Sequence, residues 1–149
     1  MNMNLNAAID AEKVCRDAFA VALATYGQGY CGAPRLTGGQ LESVNCWWFA
    51  VGGGSSSRGA PNAPVAALDM DARIEGVFSE RPRAWAFAFA AIAALPIRGG
   101  NVQTLYLNGN PSNEYEYFAL AGREGKHGLW RVHVPMRIVF NCVKGVLVS

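Results

Sequence analysis

Leu68-Asp69-Met70-Asp71-Ala72-Arg73-Ile74-Glu75-Gly76-Val77-Phe78 runs through Ser79-Glu80-Arg81-Pro82-Arg83 into Ala84-Trp85-Ala86-Phe87-Ala88-Phe89-Ala90-Ala91-Ile92-Ala93-Ala94-Leu95-Pro96. In the first part Leu68, Met70, Ala72, Ile74 and Gly76 take one face, and Asp69, Asp71, Arg73 and Glu75 take the other. That period of two marks a strand in a sheet with one packed face and one wet or contacted face. The second part is a helix whose large side chains lie on more than one side. A helix apolar around most of its girth is buried in a large protein, in a membrane, or against partners. Trp85, Phe89 and Ile92 follow helical spacing and are expected to pack on the sheet. Phe87, Ala91 and Leu95 lie on another side, to be covered by a first helix or by a neighbouring subunit.

The rest of the chain supplies the layers around this unit. Leu5 to Tyr26 reads as an amphipathic helix capped by Asn4 or Asn6, with Ile9, Cys15, Phe19 and Leu23 at helical spacing. A glycine-rich connection, Gly27 to Gly39, leads to a strand at Val44–Val51. There Trp47 and Trp48 are consecutive and so face opposite sides; one is expected under a helix and the other at a contact, where tryptophan is enriched. Gly52–Ala63 is read as a flexible loop of 12 residues, beyond the roughly two to five of a tight hairpin. Short strands follow at Val102–Leu107 and Tyr115–Ala121, separated by the turn Asn108–Asn113. The last strand, Trp130 to Cys142, alternates cleanly. Its Pro135 lacks an amide proton and calls for a sheet edge or a bulge there. The order predicts a single α+β domain over residues 1–149: a mostly antiparallel sheet of four to five strands with two helices packed on one face.

With 149 residues the chain has room for one real core. Only 16% of residues are charged while 51% are hydrophobic; ordinary domains carry about 25% charged residues. That balance favours a subunit of an assembly. The formal net charge of +2 is too small to argue for nucleic-acid binding by bulk electrostatics. The longest strongly apolar run, Ala84 to Leu95, has 12 residues where a bilayer span needs about 20. The polar amino terminus has no secretory layout, so a protein kept in a cytoplasm, with reduced thiols and no membrane partner, is expected. Cys15 and Cys142 fall on apolar faces and read as small core residues.

Catalytic readings fail one by one. Gly122–Gly128 lacks the leading glycine and the hydroxyl residue of a phosphate loop. His127 and His133 have no cysteine or carboxylate partners at metal-site spacing. Asp69, Asp71 and Glu75 share a strand face with Arg73, which can neutralise them. That face reads as solvated or interface-facing rather than as an acid–base pair. No catalytic residue, metal ligand or cofactor is assigned.

The layout from about Ala7 to Cys142 resembles the tail terminator (tail-completion) proteins of long-tailed bacteriophages. The resemblance rests on the amphipathic first helix and the glycine-rich connection into Val44–Val51. It continues in Ala72–Phe78, passing through Arg81 into the alanine-rich helix ending Leu95-Pro96, and in Trp130–Phe140. It implies a virion subunit, not an enzyme, assembled in the host cytoplasm and placed at the head–tail interface. Such subunits form a homohexameric ring that caps the tail tube, ends its polymerisation and offers the surface for head attachment. Implied partners are other copies of the chain, the tail tube protein, the head–tail connector protein, and genomic DNA passing through the bore without specific binding. The candidate interface residues are Trp47, Arg58, Arg81, Arg83, Phe87, Arg131 and Arg137. A head–tail connector or tail-tube subunit is the nearest alternative. A small-molecule-binding or enzymatic α+β domain is the competing class, which would need a closed apolar pocket with convergent polar groups.

Overall fold

In chain order the elements are α1 (Met3–Ala22), a 3-10 turn (Ala24–Tyr26), β1 (Gly29–Cys31), β2 (Cys46–Ser57) and β3 (Ala67–Phe78). Then come α2 (Arg81–Ala93), β4 (Ile97–Gly99), β5 (Val102–Leu107), β6 (Ser112–Ala119) and β7 (Lys126–Asn141). The computed structural model describes residues 3–34, 40–41, 43–57 and 67–142.

The fold is α+β, and its sheet is larger than the expected four to five strands. Among the described residues it has seven strands in the order β1-β2-β3-β7-β5-β4, with β6 also paired to β7. It is mixed, because β1 runs parallel to β2 while the other pairs are antiparallel. The extra strands β1 and β4 have three residues each, too few to show a period of two.

β3 and β7 form the spine, paired without a break from Ala67↔Asn141 to Phe78↔Trp130. On the other edge of β7, β5 ends at Leu107↔Met136 and β6 begins at Ser112↔His133. The expected turn at Asn108–Asn113 is therefore no reversal; β5 and β6 run in line, as one strand interrupted by a bulge. Pro135 falls in that interruption, where its carbonyl accepts from the Asn108 N–H at 3.0 Å. Because the N–H and C=O of a strand residue point to the same edge, the missing proline donor faces the gap. A central strand thus accommodates a residue that the sequence assigned to an edge or a bulge of its own.

Both helices cover one face. α1 buries Ala7, Ala11, Cys15 and Phe19, with Leu23 just beyond it, and α2 buries Ala84, Phe87, Ala88 and Ala91. This reverses the expected facing of α2. Phe87 is fully buried, whereas Phe89 is 59% exposed and Trp85 is only half-buried. The alanines let the helix lie close to the sheet. Phe87 then reaches Phe78, Tyr26 and Trp47 at 5.0, 5.9 and 6.3 Å between ring centroids. Gly76 makes room for it, since a Cβ there would stand 2.5 Å from the Phe78 ring and 3.2 Å from that of Phe87. No neighbouring subunit is needed to cover Phe87.

The tryptophans divide as alternation requires, but neither reaches the surface. Trp47 lies under the helices, its indole donating to the Gly27 carbonyl at 3.1 Å. Trp48 enters a second core on the opposite face with Leu41, Cys46, Val77, Phe118, Leu120 and Leu129. There the β6–β7 hairpin runs on past the end of β3. The first part of the expected loop at Gly52–Ala63, up to Ser57, is strand. After a shift in register, β2 continues and pairs Ser55–Ser57 with Met70–Leu68. The rest of that segment, Arg58 included, lies outside the described residues.

Replacing Phe87 by alanine should cost about 3–5 kcal/mol, the range for a fully buried phenylalanine. Phe89→Ala should change stability by no more than about 0.5 kcal/mol. Urea unfolding of the two variants checks the facing of α2.

Candidate functional site

The helix-free face of the sheet carries a network of ion pairs and hydrogen bonds. Pairing places Asp71 opposite Arg137, Glu75 opposite His133 and Val77 opposite Arg131, so charges of both signs interleave across two strands. Arg137 donates through Nε to Asp69 and through Nη1 to Asp71, both at 2.6 Å. Glu75 is only 6% exposed. It accepts from Trp48 Nε1 and from Arg131 Nη2, each at 2.9 Å, with Arg73 Nε at 3.7 Å. Arg131 also meets Glu116 of β6 at 3.5 Å.

Burying a carboxylate is expensive unless charge and hydrogen bonds compensate for lost water. Glu75 has both, because β2 brings Trp48 directly opposite it and β7 brings Arg131 diagonally across. His133 lies half-buried between these groups. Burial pushes its imidazole below the ordinary histidine value; Glu75 opposes that shift, while Arg131 and Arg73 add to it.

Each carboxylate that the sequence put forward for acid–base work therefore holds a guanidinium. Among the described residues no group of three or more His, Cys, Asp or Glu side chains is placed to hold a metal ion. Burial raises the Cys15 thiol to about 12, which keeps it protonated at neutral pH. The face is an ion-paired, self-neutralising surface. Beside it, a shallow cleft is lined by Asp71, Arg73, Asn108, His133 and Pro135.

The candidate interface residues separate into distinct places. Arg131 and Arg137 belong to the charged face. Arg81 and Arg83 open α2 on the helix side: Arg81 lies 5.4 Å over the Trp130 ring, and Arg83 lies 5.4 Å over Tyr26. Trp47 and Phe87 are core residues with no surface to offer a partner, and that assignment is corrected. Arg58 lies outside the described residues.

The sequence reading passed over Tyr115 and Tyr117 of β6, 51% and 66% exposed. Their signal was the alternation in Ser112-Asn113-Glu114-Tyr115-Glu116-Tyr117, which sets both rings on the helix side and the two glutamates on the charged face. Tyr115 meets Tyr117 at 5.5 Å and Trp130 at 5.0 Å, and on α2 Trp85 stacks on Phe89 at 5.8 Å. No helix among the described residues is long and apolar enough to cross a membrane. No protein-family model matches the chain, and no curated protein matches it either.

Arg131→Ala should destabilise the fold by about 3 kcal/mol, the low end for breaking a buried pair, because Trp48 still donates to Glu75. Arg137→Ala, at a wetter site, should cost less; denaturant titration of both variants reads the difference. His133 is favoured neutral in the fold, so its contribution is complete above the unfolded value near 6.5. It is lost as the pH falls from there through the lower folded value. Wild type should therefore lose more stability than His133→Gln between pH 7 and pH 5, and equal losses would remove His133 from the pH response.

Proposed function

We propose that the chain is a structural virion subunit of a long-tailed bacteriophage. It forms a ring that caps the tail tube, ends its polymerisation and presents the surface to which the head attaches. The observation that carries this reading is where the family-like segments meet. Ala72–Phe78 and Trp130–Phe140 are neighbours in the central ladder, and α2, the alanine-rich helix between them in sequence, packs on both strands.

The surfaces suit such a part. Exposed aromatic side chains on α2 and β6 are of the kind that dominate protein contacts. The charged face has its arginines matched by carboxylates, so it offers phosphate little net positive field. A bore through which DNA slides requires that, since tight phosphate contacts would arrest it. Other copies of the chain, the tail tube protein, the connector protein and passing DNA are the partners of this reading. Its mechanism is steric: the ring occupies the growing end of the tube.

Particles assembled without the chain should show overlong tubes and tail-less, DNA-filled heads by negative-stain microscopy. Tails of normal length detached from heads would assign it to the connector instead. Normal infectious particles would end the structural reading.

A further inference from the structure

β1 is a short strand at the end of the sheet. Its three residues, Gly29–Cys31, pair with Trp47–Phe49 of β2. The register sets Cys31 beside Phe49, a residue of the helix-covered core, so the Cys31 side chain also takes the helix face. α1 crosses directly above this point. Its Phe19 meets the Phe49 ring at 5.8 Å between centroids, and its Glu12 accepts from the Val51 N–H at 2.8 Å. Cys15 lies between those two anchors, one turn from each, and is fully buried. Glu12 and Arg16, from the same stretch of helix, line a groove together with Cys31, whose thiol is exposed.

Electrostatics agrees with this placement. After burial, the charge of Cys31 is the largest cause of the raised Cys15 thiol, ahead of Glu12 one turn away on the same helix. The other two cysteines lie elsewhere: Cys46 belongs to the second core on the opposite face, and Cys142 follows the end of β7.

We infer that Cys15 and Cys31 form an intramolecular disulfide under oxidising conditions, clamping the middle of α1 to the edge strand β1. With a small-molecule disulfide as the oxidant, the exposed Cys31 reacts first. Its thiolate attacks one sulfur of the reagent and expels a thiolate, leaving a mixed disulfide. The Cys15 thiolate then attacks the Cys31 sulfur and expels the second reagent thiolate. Two protein thiols are oxidised, one disulfide is reduced to two thiols, and the two cysteine protons end on the departing sulfurs. The first step helps the second, because a capped Cys31 no longer carries the charge that opposes ionisation of Cys15. Burial and Glu12 raise the Cys31 thiol while Arg16 opposes them, so the first attack is slow at neutral pH. The pair is a latch for a sustained oxidising environment rather than a fast sensor. The closed loop holds the end of α1, the 3-10 turn and the entry to β1, and closing it restricts the unfolded chain.

The test is incubation of the purified chain with oxidised glutathione at mildly alkaline pH, read by intact mass, unreduced peptide mapping and thermal melting. Wild type should lose the mass of two hydrogen atoms and yield a cross-linked peptide pair carrying Cys15 and Cys31. It should then melt about 5–10 °C above its reduced form, and dithiothreitol should reverse the gain. Cys15→Ala should stop at a mixed disulfide on Cys31. Cys31→Ser, changed at an exposed site, should melt like reduced wild type and gain nothing from the oxidant. A wild type that stays unreacted or stops at the mixed disulfide would overturn the inference. So would a bond from Cys31 to a second copy, a bond to Cys46 or Cys142, or a Cys15–Cys31 form that melts no higher than the reduced chain.

Discussion

The uninterrupted β3–β7 ladder is the constraint on which the rest of this structure depends. Strand side chains alternate, so a slip of one residue would turn Ile74 and Val134 toward water and draw Glu75 toward the helices. The register that forbids this also sets Asp71 opposite Arg137 and leaves Glu75 within reach of Arg131. One pairing thus builds the hydrophobic core on one face and the ion-paired surface on the other. α2 begins three residues after β3 ends, which commits it to the same end of the ladder and brings Arg81 over Trp130.

The strands of the ladder were legible because period-two alternation runs through both of them. The facing of α2 was not, because a helix apolar on all sides has no period that singles out a buried face. Side-chain size decided it: Ala84, Ala88 and Ala91 permit close approach, Phe87 fills the space above Gly76, and Trp85 and Phe89 are left outward. Pro135 was expected at a sheet edge or at a bulge of its own strand, and it lies instead in a central strand, beside a break in the neighbouring one. The sequence could not show that its neighbour would break in two, since the collinearity of β5 and β6 is a property of three strands together. The fate of Trp48 was hidden for a similar reason, because its second core is assembled from four separate stretches of chain.

The same distinction applies to the site. The charged face was visible in the alternation of β3 and β7, but its buried centre was not. Glu75 tolerates burial because Trp48 and Arg131 reach it from two other strands. The grouping of Tyr115 and Tyr117 with Trp130, Trp85 and Phe89 lay beyond sequence reading because the rings come from β6, β7 and α2, with no regular spacing to connect them. Together these features describe a chain with one self-neutralised, ion-paired face and exposed aromatic side chains at the margin of the other. The proposed virion role would use the first as a surface past which DNA slides and the second as a contact between copies.

The most direct measurement is to add the purified chain to polymerising tail tube protein and follow tube length by electron microscopy. Elongation should stop, with a ring of density at one end of each tube. Tubes that keep growing at the same rate with bare ends would contradict a capping role.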